Sequence, residues 1–215
     1  MTLASHELRA PVAAIHEIAK TLAVHTDALE AGQVAALHQL LLRNTELLTR
    51  LLDELLDLSR ADARGIIIAP VPLAVRGRVE ELLRALGGDR SGEVTIDVPE
   101  ELCPLVDPGA FDRVVGNLIA NALLHGRPPV TIAASAGDGA LHVVVEDRGA
   151  GVPAEFVPRL FDRFARGPHA GGETSQGSGL GLAIALMYAH AHGGELTYRD
   201  ASPRGARFEL ELPTP

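Results

Sequence analysis

The sequence predicts two structural classes joined end to end. The first is an α-helical hairpin that pairs with a second copy as a four-helix bundle; the second is an α+β sandwich of one mixed sheet with helices on one face. Three observations carry this prediction. Leucines near the N-terminus recur at alternating spacings of four and three. Between residues 63 and 72 that rhythm is broken by Gly65, Pro70 and Pro72. Beyond the break, strand-like alternation and helical periodicity mix, punctuated by Gly- and Pro-rich turns. The chain therefore divides into residues 1–64, a linker at 65–72, and residues 73–215.

The hairpin rests on two helices expected at roughly 2–27 and 33–62, turning around Ala28–Gly32. In the second helix, Leu37, Leu41, Asn44, Leu48, Leu51, Leu55 and Leu58 form a coiled-coil-like seam. Leu40, Leu47 and Leu56 widen the apolar face beyond a two-stranded seam, as a four-helix bundle requires. Asn44 is a polar break that can set register. In the first helix, Leu8, Val12, Ile15, Ala19 and Leu22 keep the same rhythm. One hairpin cannot enclose a core of its own, so a homodimer built across a two-fold axis is expected. Pro11 lies inside the first helix, removes a hydrogen bond near Glu7, and should kink the chain just after His6.

Downstream, Val79–Leu86 has helical periodicity and Val94–Val98 alternates as a strand. Asp107 followed by Pro108 is an N-cap with proline at the first helical position, which opens a helix to Leu124. Val130–Ala134 and Leu141–Glu146 are predicted strands turning at Gly137-Asp138-Gly139. A helix over Leu180–His192 ends at Gly193-Gly194. Glu195–Tyr198 and Ala206–Leu212 close the sheet around Ser202-Pro203-Arg204-Gly205.

Composition narrows the function. The 215 residues carry a formal net charge of -9, which repels phosphate backbones and argues against nucleic-acid binding. With one cysteine, Cys103, there is no intrachain disulfide and no zinc cluster, and a reducing cytoplasm is expected. Aromatic residues are 3% of the chain, so the core must be aliphatic. No apolar run is long enough for a bilayer, because the Leu37–Leu58 stretch is interrupted by Arg43, Glu46, Arg50, Asp53, Glu54 and Asp57. No signal-peptide pattern is present either, so any membrane tie would come from a partner or from sequence outside this chain.

Four short motifs occur in a fixed order. In Asn117-Leu118-Ile119-Ala120-Asn121-Ala122, the two asparagines are four apart on a helix and their amides point the same way. A neutral amide oxygen can ligate Mg²⁺ held by a nucleotide triphosphate; in isolation, two surface asparagines are the simpler reading. Asp147-Arg148-Gly149-Ala150-Gly151 follows an apolar strand, so its carboxylate can accept from an exocyclic amine while the glycines let backbone approach a ring. Taken alone it is often a turn. Phe161-Asp162-Arg163-Phe164-Ala165-Arg166 offers two aromatic anchors and two arginines, Arg163 and Arg166, that can meet phosphates; the plain alternative is a solvated helix end. Residues 167–177, with Gly167, Gly171, Gly172 and Gly177, have the composition of a lid. Finally, Gly177-Ser178-Gly179-Leu180-Gly181-Leu182 runs straight into a helix, whose exposed N–H groups and positive dipole end suit an anion. Neither a dinucleotide fingerprint nor a G-x-x-x-x-G-K-[ST] loop is present.

These four motifs resemble the N, G1, F and G2 boxes of the GHKL ATPase superfamily as arranged in sensor histidine kinases. Ser5-His6-Glu7-Leu8-Arg9-Ala10-Pro11 resembles the H box of their dimerization and phosphotransfer domain, and Gly205-Ala206-Arg207-Phe208 resembles the last glycine box. The resemblance covers nearly the whole chain and implies a GHKL (Bergerat) sandwich in the second domain. It also implies ATP as substrate and Mg²⁺ as cofactor. Asn121 would ligate Mg²⁺, with Asn117 near the phosphates. Asp147 would bind the adenine amine, with Gly149 and Gly151 lining the base pocket. Gly177, Gly179, Leu180 and Gly181 would shape the lid hinge and phosphate cradle. His125 stands where the family often has an aromatic ring near adenine; a helix-end histidine is an equal reading.

His6 would be the phospho-acceptor. It falls off the Leu8, Val12, Ile15 seam and should be accessible, with Glu7 able to orient the imidazole and accept its proton. A neutral imidazole is available near pH 7. The phosphoryl group would then pass to an aspartate of a response-regulator receiver domain. Three departures from the family pattern carry consequences. Ala10 replaces the Thr or Asn that orients a hydrolytic water, so phosphatase activity should be weak. Leu124 replaces a basic residue near the phosphates, which should lower nucleotide affinity or turnover. Only five residues precede His6, so the sensing region would lie in sequence upstream of this chain or on another polypeptide. The main alternative is a GHKL ATP-binding regulator whose hairpin only dimerises and binds partners. An anti-sigma-type serine kinase normally lacks the leucine-rich hairpin, a gyrase or chaperone ATPase would need further domains, and a structural bundle leaves the glycine boxes unexplained.

Overall fold

The structure is a computed structural model that describes residues 2–25, 29–167 and 178–214, without side chains at 2–6, 25, 62–64 and 89. The chain divides into two compact units, Met1–Ala63 and Arg64–Pro215.

The first unit is built from α1 (Thr2–His25) and most of α2 (Ala31–Arg64). Helix α1 continues through Pro11, which is buried. All seven seam positions of α2, from Leu37 to Leu58, are shielded from solvent to some degree, and Leu51 and Leu58 are buried. Asn44 turns its amide back on its own helix, donating to the Leu40 carbonyl (2.8 Å). Seam positions Val12 and Ala19 of α1 are exposed instead, as are Leu40 and Leu56, which were expected to widen the apolar face. None of the described helices is long and apolar enough to cross a membrane.

In the second unit, β1 (Val71–Pro72) pairs antiparallel with β3 (Leu105–Val106). The last two residues of the expected linker are thus held to the domain; strands of two residues are too short to leave a period in sequence. The main sheet has the order β2-β4-β5-β7-β6. Its strands are β2 (Val94–Asp97), β4 (Val130–Gly137), β5 (Ala140–Glu146), β6 (Glu195–Asp200) and β7 (Ala206–Pro213). Only the β2–β4 pair is parallel. Helices α3 (Val75–Gly87), α4 (Pro108–His125) and α5 (Gly181–Ala191) cover one face. Burial alternates along β4, β5 and β7, so Ile132, Val143, Val145, Phe208 and Leu210 point into the aliphatic core under the helices.

Local chemistry sets the element ends. Asp107 caps α4 by accepting from the Ala110 N–H (2.7 Å) and also accepts from the Ala69 N–H (2.8 Å). Asp107 N–H in turn donates to His192 Nε2 (3.1 Å), tying the start of α4 to the end of α5. The β4–β5 hairpin turns on Asp138-Gly139, both at positive φ, which suits the two-residue primed turns favoured by twisted hairpins.

Candidate functional site

The carboxylate of Asp147 lies at the end of β5, only 4% exposed. Its Oδ1 accepts from the Gly149 N–H (2.6 Å) and, at longer range, from the Ala206 N–H (3.5 Å). Two glycines from two segments make room for it, and a third makes room for the Asp147 backbone. A Cβ on Gly126 would stand 2.6 Å from Asp147 Cγ, and one on Gly149 would stand 2.8 Å from Oδ1. A Cβ on Gly205 would overlap the Asp147 carbonyl oxygen. A buried carboxylate flanked by glycine backbone is suited to a flat ligand with a hydrogen-bond donor at its edge.

The loop after Asp147 is held along its length. Arg148 N–H donates to the Arg127 carbonyl (2.9 Å), and Arg204 Nε donates to the Gly149 carbonyl (3.0 Å). Val152 N–H donates to the Tyr198 hydroxyl (2.9 Å), which itself donates to Asp200 Oδ1 (2.7 Å). Burial, with the bond to Asp200, pushes the Tyr198 phenol up to about 12, so it remains a protonated donor. Gly151 is at φ +75° against this pair.

His125, the last residue of α4, keeps an exposed edge. Burial of the rest of its ring pushes its pKa below the ordinary value, with Asp147 pulling the other way. The imidazole thus lies within electrostatic reach of the Asp147 carboxylate.

Asn117 and Asn121 share α4, both half-buried. Asn117 Nδ2 donates to the Arg113 carbonyl (2.6 Å), and its Oδ1 meets the backbone of Gly181 at the start of α5. The third and fourth motifs join directly: Phe164 N–H donates to the Gly179 carbonyl (2.8 Å). Phe164 adopts φ +63° and Gly179 +68°, and a Cβ on Gly179 would lie 2.7 Å from the Ala165 carbonyl oxygen. The Phe161 segment is a series of turns, not a helix end, and Phe161 packs edge-on against Phe208 (centroids 6.4 Å). Arg163 and Arg166 are exposed.

Among the expected site residues, Asp147, Gly149, Gly151 and His125 therefore converge, as do Asn117, Gly179 and Gly181. The Leu180 side chain is fully buried in the core, so what this position offers a ligand is its backbone. Gly177 lies outside the described residues, as does the side chain of His6; the His6 backbone is in α1, as is Glu7. Gly126, Tyr198 and Arg204 were not signalled by the motifs. Gly126 has an ordinary φ of -80°, so its need for glycine is spatial: a Cβ would meet the Ala122 carbonyl within its own helix end and Asp147, 21 positions away.

The site residues fit a nucleotide with Mg²⁺. Gly181 leaves open, beside Asn117 Oδ1, a volume that a side chain would fill. The Asn121 amide oxygen is a hard neutral donor of the kind Mg²⁺ takes with phosphates and waters.

The histidine kinase-, DNA gyrase B- and HSP90-like ATPase family model matches residues 106–215, and the His Kinase A (phospho-acceptor) domain model matches residues 2–64. The chain belongs to that ATPase family and has the two-domain make-up of a two-component sensor histidine kinase core. The signal transduction histidine-protein kinase AfsQ2 of Streptomyces coelicolor is 33% identical over 97% of this chain and 40% of its own length. The probable sensor histidine kinase TcrY of Mycobacterium tuberculosis is 36% identical over 98% of this chain and 44% of its own. The chain thus spans less than half the length of these relatives.

Among solved structures, histidine kinase AdeS of Acinetobacter baumannii shares the fold with TM-score 0.76 at 20% identity, covering 97% of this chain and 98% of that one. Full-length ShkA in complex with AMPPNP gives 0.70 at 24% identity, covering 99% and 45%. Histidine kinase ThkA in complex with the response regulator protein TrrA gives 0.72 at 19% identity, covering 98% and 60%.

Proposed function

We propose that this chain is the catalytic core of an ATP-dependent protein histidine kinase, autophosphorylating on His6 and passing the phosphoryl group to an aspartate of a receiver domain. The observation that carries the reading is the buried Asp147 carboxylate in its glycine enclosure, in a chain whose N-terminal region matches a phospho-acceptor domain. Residues 1–64 serve as the dimerising phospho-acceptor domain, 65–72 as linker and 73–215 as the ATP-binding domain. Homologous architecture supports both ligands: one structure of this fold holds AMPPNP and another holds a response regulator.

Asp147 accepts from the adenine amine, with Gly149 and Gly151 against the ring and His125 at its edge. Asn117, the backbone at Gly179, Leu180 and Gly181, and the arginines Arg163 and Arg166 border the phosphates. Gly177 would complete the cradle. Asn121 would hold Mg²⁺, which would supply neutralisation of the phosphate charge. The lone-pair nitrogen of neutral His6 attacks the γ-phosphorus, the bond to the β–γ bridging oxygen breaks, and ADP departs. Glu7 orients the ring and accepts the proton shed by the imidazole. Catalysis is then mainly positioning. Receiver transfer breaks the bond from phosphorus to the His6 nitrogen as a carboxylate oxygen bonds to phosphorus, and the imidazole takes back a proton to return as neutral histidine. Ala10 offers no group to orient water, which keeps phosphatase activity weak, and Leu124 leaves the phosphates without a cation at that position.

Dimerisation is supported by the apolar side chains that a single hairpin leaves in solvent: Val12, Val24, Leu40, Leu42, Leu52 and Leu56, with Leu42 62% exposed. The core works in the cytoplasm or at a membrane surface. Phosphotransfer profiling tests the proposal: phosphorylated chain is mixed with a panel of purified receiver domains. Rapid loss of label to one receiver is expected; retention of label against every receiver, with ADP and Mg²⁺ present, would count against the transfer step.

A further inference from the structure

We propose that Tyr198 is a positioning residue for nucleotide binding, its hydroxyl fixing the glycine loop against which the base rests. The proposal builds on the reading of the Asp147 loop as the base pocket. Val152 follows directly on Gly151, and its N–H donates to Tyr198 Oη (2.9 Å). The same hydroxyl donates to Asp200 Oδ1 (2.7 Å), two residues along β6 on the same face of the strand. The hydroxyl thus has a defined acceptor for its proton and presents a lone pair to the loop.

Gly151 packs against this pair: a Cβ there would stand 3.5 Å from both Tyr198 Oη and Asp200 Oδ1, and 3.0 Å from the Gly205 carbonyl oxygen. The Tyr198 ring is itself held against Phe208 (centroids 5.5 Å, planes at 60°), whose other aromatic neighbour is Phe161. A core-anchored ring therefore brings a hydroxyl, oriented by one carboxylate, to the far end of the loop whose near end is Asp147. Holding both ends sets how closely Gly149 and Gly151 approach the base; freeing one end lets the loop sample positions that bind less well.

The test compares Tyr198→Phe, Asp200→Ala, Asp200→Asn and Asp147→Asn in the full chain, measuring ATP affinity, autophosphorylation rate at saturating ATP, and melting temperature without nucleotide. Tyr198→Phe keeps the ring packing and removes only the hydroxyl. It should weaken ATP binding about fivefold, as loss of one neutral hydrogen bond implies, with the saturated rate and the nucleotide-free melting temperature unchanged. Asp200→Ala should weaken binding in the same direction, and Asp200→Asn, which still accepts from the phenol, should restore most of it. Wild-type ATP affinity in Tyr198→Phe while Asp147→Asn binds poorly would overturn the positioning role and leave the base pocket standing. Unchanged affinity in Asp147→Asn would remove the base pocket and this proposal with it. A Tyr198→Phe variant that melts earlier without nucleotide yet binds ATP normally would make the tyrosine merely structural.

Discussion

Gly181, the first residue of α5, faces Asn117 of α4 so closely that a Cβ at position 181 would stand 2.7 Å from Asn117 Oδ1. Gly181 here does not serve an unusual φ. Its missing side chain keeps an amide oxygen uncovered where two helices meet, and Asn117 is steadied by its bond to the Arg113 carbonyl. Gly181→Ala should therefore push the amide aside, and because the clash falls on a side chain, stability should drop by no more than about 1 kcal/mol. ATP affinity should fall roughly tenfold or more. Calorimetric titration with a non-hydrolysable ATP analogue, set beside a thermal melt, separates the two effects; equal affinity for variant and parent would contradict the assignment of Asn117 to the phosphates.

Gly126 presents the opposite case. A Cβ there meets the Ala122 carbonyl oxygen at 2.5 Å and Asp147 Cβ at 2.7 Å, and neither the helix end nor the buried β5 terminus can yield freely. Gly126→Ala should cost about 1–3 kcal/mol of stability and weaken nucleotide binding as well. A denaturant melt of the variant matching the wild-type midpoint would show that the α4–β5 junction is looser than described.

His125 confers a pH dependence whose sign follows from its burial. Its folded pKa lies below the ordinary value of 6.5, so between the two values the unfolded chain binds more protons. Its contribution to stability is therefore complete above about pH 6.5 and declines as pH falls through that value. Replacing it with Gln should flatten the acid side of the stability profile below about pH 6.5. Chemical denaturation at a series of pH values reads this directly, and parallel slopes for His125→Gln and wild type would refute it.

Ala10 is exposed on α1, four residues beyond His6. Ala10→Thr supplies a hydroxyl that can orient water, and should raise the rate of receiver dephosphorylation by one to two orders of magnitude, roughly the value of a positioned polar group in general acid–base catalysis. The assay uses phosphorylated receiver with ADP. An Ala10 protein already as active as the threonine variant would sink the idea.

Much of the fold was legible because its elements carry long periods or strong punctuation. The seam from Leu37 to Leu58 spans several turns, Asp107-Pro108 marks a helix start, and Asp138-Gly139 marks a hairpin. The β1–β3 pair was not legible, since two residues carry no period. In the site, Asp147, Asn117 and Gly181 could be picked out because motif order places them. Gly126, Tyr198 and Arg204 could not, because each reaches the site through a partner distant in sequence: Asp147, Val152 and Gly149. The burial of the Leu180 side chain was not legible from its motif, because it depends on packing with residues distant in sequence. The exposed Val12 and Ala19 show that the heptad rhythm marks an apolar face without saying whether one hairpin or two will cover it.

The most direct test is incubation of wild type and His6→Gln with γ-labelled ATP and Mg²⁺, followed by acid and base treatment of the labelled protein. Label that is acid-labile and base-stable in wild type and absent from His6→Gln is the predicted result, with the variant still binding ATP. Label that persists in His6→Gln, or that survives acid as serine or threonine phosphate would, contradicts the account.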